Sequence, residues 1–356
     1  MSLDLIDFLA GGGGSSTGAS RVPGVVLRWA ADHWPTAIAT HQANHPHAEH
    51  AVADLSQLDP RAVPGAHVAW FSPSCTYHAQ CQGAYRASEA AKRSRATMWC
   101  PVRFSERHRY PAMIIENVLE VTRWELWPAW LSALDVLGYQ TRVLSLNSAH
   151  VGSRVAQSRD RLYVVATLGN LPDLDHLEST DAMCVECGPV RGLRSGKFGR
   201  YGRQYRYRCP RCEAAVEPAT LPGLSAVDLT NPGEVVGDRF APRTRVKIGM
   251  GIERYGGAPF VAELRGGGAT VRPLVAPLST VTASGTHHLL VTPDGPRVED
   301  ARARMAGIAE LARVQGFPDD YIWHGNRGDI VRQIGNGVST TVAEALVGAV
   351  VAGLLS

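Results

Sequence analysis

The sequence predicts an α/β fold: a doubly wound, mostly parallel sheet with a second, smaller, irregular β-rich domain. Three observations carry this. Over residues 1–171, short apolar runs alternate with stretches of helical spacing, the pattern of strands joined by crossover helices. Each run ends in a loop of Gly, Pro, Asp, Asn or Cys, and such sheets bind ligands at strand carboxyl ends. From about residue 172, Gly, Pro, Arg and short β-like runs dominate, and two Cys-x-x-Cys pairs appear.

The elements follow in order. Residues 3–10 read as a buried strand that runs into Gly11-Gly12-Gly13-Gly14. Val22 to Ala31 is a second strand ending at Asp32, and Thr36 to Asn44 has helical spacing. His67 to Ser72 is a third strand, ending at Pro73-Ser74-Cys75, and Ala112 to Ile115 a fourth, ending at Glu116-Asn117. Trp124, Trp127, Trp130, Leu134 and Leu137 mark a helix face packed on the sheet, and Leu162 to Leu168 a further strand. Residues 172–300 are expected to form the second domain. Residues 301–356 are expected to return to the first, with helical spacing over Ala301–Val314 and a closing helix over Thr340–Leu355.

The chain has 356 residues, 45% apolar and 19% charged, ample for a packed core and unlike a disordered chain. Its net charge of +3 implies no global attraction to polyanions, so a nucleic-acid surface must be local. The longest apolar run, 345–356, is shorter than the roughly 20 residues of a membrane helix. No basic n-region precedes Asp4 and Asp7, so no secretory signal is read. An odd count of 7 cysteines favours reduced thiols and a cytoplasmic protein.

Chemistry concentrates at a few places. Glycines after a strand let the backbone approach a ligand, and a ligand-free loop is the alternative. Asp32 suits the hydroxyls of a ribose, or is a solvated acid; Asp54 is equally ambiguous. Cys75 at a strand end is a nucleophile if its thiolate is supported, otherwise an inert buried thiol. Glu116 ends a buried strand, where a carboxyl can hold a proton near neutral pH. Arg159 and Arg161 share one face of an extended segment.

Cys184, Cys187, Cys209 and Cys212 form two knuckles that fit tetrahedral zinc, and four thiolates closing the shell make that zinc structural. Between the knuckles lie Arg191, Arg194, Lys197, Arg200, Arg203, Arg206 and Arg208, with interleaved aromatics and no acid. That composition suits a phosphate backbone, or is a solvated ribbon. His41, His45, His47 and His50 are read as a plain loop after a helix, without a metal-ligand set.

Taken together, these pieces resemble the DNA cytosine-5 methyltransferase family. Asp7-Phe8-Leu9-Ala10-Gly11-Gly12-Gly13-Gly14 is similar to its first motif, although Leu9 stands where the family has a stacking Phe. Pro73-Ser74-Cys75, Glu116-Asn117-Val118 and Gln157-Ser158-Arg159-Asp160-Arg161 resemble its nucleophile, E-N-V and Q-x-R-x-R motifs. Residues 315–321 and Gly335-Asn336-Gly337-Val338 resemble the last two motifs, in the family's order.

The resemblance implies a Rossmann-like methyltransferase: a catalytic domain over 1–171, a target-recognition domain over 172–300 with a four-cysteine zinc ribbon at 184–212, and a returning segment over 301–356. It implies transfer of a methyl group from S-adenosylmethionine to carbon 5 of a flipped-out cytosine in double-stranded DNA. Cys75 would add to the ring, Glu116 would hold ring nitrogen 3, Arg161 the base carbonyl, and Arg159 would position Cys75 or a phosphate. The cofactor would lie on Leu9, Ala10, Gly11, Gly13, Asp32, Asp54, Pro73, Asn336 and Gly337. Arg194, Lys197, Arg200 and Arg203 of the ribbon, with Thr280 and Thr282, would contact DNA. A monomer acting in the cytoplasm of a bacterial cell or phage-infected host is expected, with no membrane partner. The competing readings are the same chemistry on RNA, transfer from an altered cofactor, and a non-catalytic DNA-binding protein on this scaffold.

Overall fold

Strands of wholly buried aliphatic and aromatic residues build the centre of the molecule, because side chains facing both ways must be apolar when helices cover both faces. A computed structural model describes residues 2–74, 96–152, 154–265, 270–285 and 287–356. The central sheet has 7 strands in the order β3-β2-β1-β4-β5-β8-β6. These are β1 (Leu3–Phe8), β2 (Val25–Asp32), β3 (Glu49–Val52), β4 (Val68–Phe71), β5 (Ala112–Asn117), β6 (Gln140–Asn147) and β8 (Asp160–Thr167), with the short β7 (Gln157–Ser158) just before β8. The first five run parallel, whereas β8 runs antiparallel to both β5 and β6. The connection from β6 to β8 contains no helix, so the two strands pair as an antiparallel hairpin.

One face of the sheet is covered by helices α1 (Gly14–Ala19) and α8 (Thr340–Leu355), with Leu346, Val347 and Val350 packed on Leu5, Trp70 and Ile114. The other face carries α3 (Cys100–His108) and α4 (Trp127–Val136), where Phe104, Trp130 and Leu134 meet Phe8, Phe71 and Ile115. The stretch 327–355 is long and apolar enough to cross a membrane by composition. In the fold it splits into α7 (Arg327–Asn336) and α8, and the apolar face of α8 lies in the core.

The stretch expected to be one irregular domain contains two units. Strands β9 (Ser179–Cys184), β10 (Gly188–Gly196), β11 (Tyr205–Arg208) and β12 (Ala215–Pro218) close into a small barrel. Beyond it, β13 (Glu234–Val235), β14 (Phe260–Glu263), β15 (Thr270–Pro273), β17 (His288–Pro293) and β18 (Ala301–Met305) form a 5-stranded antiparallel sheet. A helix, α5 (Pro242–Tyr255), packs on this sheet through Ile248 and Ile252. The helical spacing expected from Ala301 is thus divided: Ala301–Met305 is a strand, and only Ile308–Arg313 is helical, as α6. The strand β16 (Leu278–Ser279) pairs with β7 and ties this unit to the central sheet.

Candidate active site at the sheet's carboxyl edge

Loops after β1, β2, β4 and β5 converge on one edge. After β1 the backbone takes left-handed φ angles at Leu9 (58°), Gly11 (53°) and Gly13 (93°), and Ala10 donates to the Ala31 carbonyl at 3.0 Å. This winding brings the Gly11 amide to Asp32 at the end of β2, whose carboxylate accepts from it at 3.0 Å and from the Trp34 amide at 2.9 Å. Open space lies where a Gly11 side chain would stand, leaving a cradle beside the Asp32 carboxylate. His33 lies 3.1 Å from that carboxylate, which raises the histidine's pKa. Asp54 accepts from the Ser56 amide and hydroxyl at 2.9 and 2.6 Å.

The far end of the chain returns to this loop. The Tyr321 hydroxyl donates to the Gly12 carbonyl at 2.6 Å, and the Val338 backbone occupies the place of a Gly14 side chain. Asn336 ends α7, and the Gly337 carbonyl accepts from Gln315 at 3.1 Å and Arg159 at 3.2 Å.

Glu116 and Asn117 close β5 and are both buried. Asn117 donates to the Pro73 carbonyl at 3.1 Å, anchoring the start of the segment that leads to Cys75; Cys75 and Cys81 themselves lie outside the described residues. Arg161 stands on β8 with its Nε 3.3 Å from Glu116 Oε1. Burial raises the Glu116 pKa, and Arg161 and then Arg159 oppose that shift.

The Arg159 guanidinium donates to the carbonyls of Val281 (2.8 Å), Gly335 (3.0 Å) and Gly337 (3.2 Å), binding three segments together. The Thr280 hydroxyl donates to the Ser158 carbonyl at 3.0 Å, and Thr282 sits 3.2 Å from the Ser284 hydroxyl. These threonines therefore flank the Arg159 segment.

In the barrel, the sulfurs of Cys184, Cys187, Cys209 and Cys212 all lie within 4.8 Å of one another. Thiolates on one tetrahedral zinc, each about 2.3 Å from the ion, would have similar spacing. The basic ribbon needs correction. Arg194 is turned inward: its guanidinium stacks 3.8 Å from the Tyr205 ring centre and donates to Ser145 and Glu178. Arg200 pairs with the buried Glu120 at 2.7 Å. Lys197 and Arg203 are exposed. The interleaved Tyr205 and Tyr207 fill the barrel core instead of facing solvent, since alternation in a closed barrel sends every second residue inward.

Sequence reasoning missed the residues that dock the barrel. Glu120, Ser145 and His150 receive the ribbon hairpin, and no local pattern marks them, because the partners are remote in sequence. Asp160 could have been found inside its own motif.

Comparisons with known proteins agree with this geometry. The model of the C-5 cytosine-specific DNA methylase family matches residues 3–183 and 258–352. The type II methyltransferase M.AgeI of Thalassovita gelatinovora is 29% identical over 45% of this chain, and M.BanI of Aneurinibacillus aneurinilyticus 38% over 19%. The aligned stretches span only 38% and 14% of those two proteins. The structure of the Entamoeba histolytica methyltransferase EhMeth superposes with a TM-score of 0.64 over 99% of each chain at 13% identity, a likeness of fold. With most of its length matched by that family model, the chain belongs to the C-5 cytosine-specific DNA methylase family.

Proposed function

We propose that the protein is a DNA (cytosine-5-)-methyltransferase that uses S-adenosylmethionine. The observation that carries this is the pair of buried Glu116 with half-buried Arg161 beside Asn117, whose side-chain amide anchors Pro73 two residues before Cys75 in sequence. An acid and a cation thereby stand at the edge where the segment leading to Cys75 begins, and a purely binding protein needs no such set.

Cytosine carbon 5 is a weak nucleophile. The Cys75 thiolate forms a bond to carbon 6 and pushes the ring electrons toward carbon 5. Glu116 donates to ring nitrogen 3, so charge does not accumulate there; its raised pKa suits a group that keeps its proton. Arg161 holds the base carbonyl, and its charge restrains Glu116 from becoming permanently neutral. Arg159 clamps the Val281, Gly335 and Gly337 carbonyls, a positioning role that places the recognition segment and the chain's end around the site. S-adenosylmethionine, when bound, supplies an electrophilic methyl group on a sulfonium. After transfer the carbon-5 proton passes to solvent water, its electron pair re-forms the 5,6 double bond, the bond to Cys75 breaks to release the thiolate, and nitrogen 3 returns its proton to Glu116. Carbon 6 is covered in a stacked duplex, so the base is turned out at a cost of about a few kcal/mol.

The open cradle at Gly11 and the adjoining Asp32 carboxylate fit an adenosyl group. Leu9, Ala10, Gly11 and Gly13 would line it, Asp32 would accept from ribose hydroxyls, and Asp54, Pro73, Asn336 and Gly337 would close it. The four sulfurs of the barrel fit a structural zinc that cross-links the two knuckles. Lys197 and Arg203, with Thr280 and Thr282, are the DNA contacts proposed.

The test is direct. Purified protein is incubated with labelled S-adenosylmethionine and either duplex DNA or RNA, and 5-methylcytosine is mapped by sequencing. Label should enter DNA at cytosine carbon 5 and disappear with Cys75→Ala. Equal transfer by that variant, or transfer to RNA alone, overturns the reading.

A further inference from the structure

The barrel hairpin is not merely appended to the sheet. Its tip reaches the strand ends that carry Glu116 and Arg161. The Gly199 amide donates to the Ser145 hydroxyl of β6 at 3.1 Å, and Arg194 donates to the Ser145 carbonyl at 2.7 Å. Arg200 meets Glu120, just beyond β5, at 2.7 Å. The His150 ring stands edge-on to Tyr201 and Tyr207, with centres 4.5 and 5.4 Å away.

At the middle of this contact lies Asp160, the first residue of β8. Its carboxylate accepts from the Tyr201 amide at 3.2 Å. Its carbonyl accepts from Arg161 Nη1 at 3.0 Å. Arg161 Nε then faces Glu116 Oε1 at 3.3 Å. Three successive contacts therefore run from the hairpin backbone to the Glu116 carboxyl.

We propose that Asp160 is a positioning residue, through which the metal-knuckle barrel sets Arg161 against Glu116. The proposal rests on the methyl-transfer reading for its consequence in catalysis, and on geometry alone for its structural half. An arginine held only by its own flexible stem samples several rotamers. Fixing the preceding carbonyl restricts that choice and keeps the guanidinium near the acid. The barrel would then have a second role beside any contact with DNA: it completes the catalytic edge.

The groups that face Glu116 are Arg161, Arg159 and Tyr163. Those that face Asp160 are Tyr201, Asn147, Arg200 and Arg161, with Tyr205 and Tyr207 from the barrel. Arg161 lowers the Glu116 pKa, so a displaced guanidinium must let that pKa rise.

The experiment compares the full-length protein with Asp160→Ala, which loses the acceptor, and Asp160→Asn, which keeps a carbonyl for the Tyr201 amide. Asp160→Val, which also lacks an acceptor and suits a strand, replaces the alanine variant if the latter does not fold. The Glu116 carboxyl is titrated by carbon-13 NMR in the absence of DNA and cofactor, with Glu116→Gln for assignment. Asp160→Ala should raise the Glu116 pKa by about one unit, while Asp160→Asn titrates as the parent does. In the methylation assay kcat should fall about tenfold with unchanged KM for DNA, since misplacement acts on the reacting complex. The kcat limb governed by Glu116 should move to higher pH in step with the NMR value. An unchanged Glu116 titration in Asp160→Ala, or the same change in Asp160→Asn, overturns the proposal. A parent protein that is inactive on DNA, with the Glu116 titration still shifted between it and Asp160→Ala, overturns the methyl-transfer reading and leaves the positioning role standing.

Discussion

His41 and His45 lie on one side of α2 (Pro35–Asn44) and its C-terminal end, not in a solvated loop. The proline at position 46 suggests an open turn, whereas the spacing of 41 and 45 puts both rings over the buried side of the helix end. His41 Nε2 is 2.9 Å from the Ser16 hydroxyl and its Nδ1 is 2.8 Å from His50 Nε2. His45 Nε2 is 3.2 Å from the Thr17 hydroxyl. Burial, with the neighbouring histidines, lowers the His45 pKa to about 4 and holds His41 well below the ordinary range. A base with a depressed pKa stabilises the fold above its unfolded value of 6.5 and loses that contribution as pH falls through about 4. For His45 this amounts to roughly 3 kcal/mol at most. Asp7, which accepts from the Ser15 and Ser16 hydroxyls of α1, works in the opposite sense: burial raises its pKa to about 7, so its contribution is complete below 3.8 and lost as pH rises through 7. Replacing His45→Gln should therefore reduce the loss of unfolding free energy between pH 6.5 and pH 4, measured by urea denaturation. An acid limb as steep as that of the parent would show that His45 is not the group responsible.

At the scale of elements, the meeting of α1 with α8 explains why the first helix is built of small residues. A side chain at Gly18 would strike the Thr340 carbonyl and stand 2.7 Å from Ala343 Cβ. Gly18→Ala should destabilise the protein by about 1–3 kcal/mol through overpacking, read as a lower urea midpoint with an unchanged slope. A neutral substitution would mean that α8 can move away freely. The strands β1, β4 and β5 were legible because each is a short apolar run closed by a turn or a polar end. The β18 strand was not: Ala301-Arg302-Ala303-Arg304-Met305 alternates with period 2, but the helical residues that follow it extend an apparent helix backwards. α5 was hidden for another reason. Its Gly249 and Gly251 read as a loop, yet Gly251 is small because the Phe260 ring fills the space beside it. Among the candidate-site residues, Asp32 and Glu116 are legible as acids ending apolar strands. The inward turn of Arg194 could not be read, because its partners Ser145 and Glu178 come from separate segments.

For the whole molecule, the question is how much of the fold depends on the knuckles. The barrel core consists of Ala182, Val190, Tyr205, Tyr207 and Val216 with Cys184 and Cys209. So small an apolar set rarely holds a fold by itself, and a structural metal commonly supplies the difference. Exposed Arg203 provides a clean probe of the ribbon's outer side, unlike Arg200, whose loss would also strand Glu120. Arg203→Ala should reduce the slope of log K against log salt for DNA binding by about 1, and leave the metal content unchanged. An unaltered slope would remove Arg203 from the phosphate contacts. Metal removal should act more widely. With the knuckles open, β9 to β12 lose their cross-link, and the hairpin contacts to Ser145, Glu120 and Asp160 loosen with them. The central sheet has its own cores on both faces, so it should survive. Hydrogen exchange after chelation, or in Cys212→Ser, should show lost protection over residues 179–218 and retained protection in β1, β4 and β5. Exchange unchanged in the barrel would show that the four thiols need no metal to hold it. Loss of protection throughout the chain would show that the barrel is part of the global folding unit, and that the candidate site edge cannot form without it.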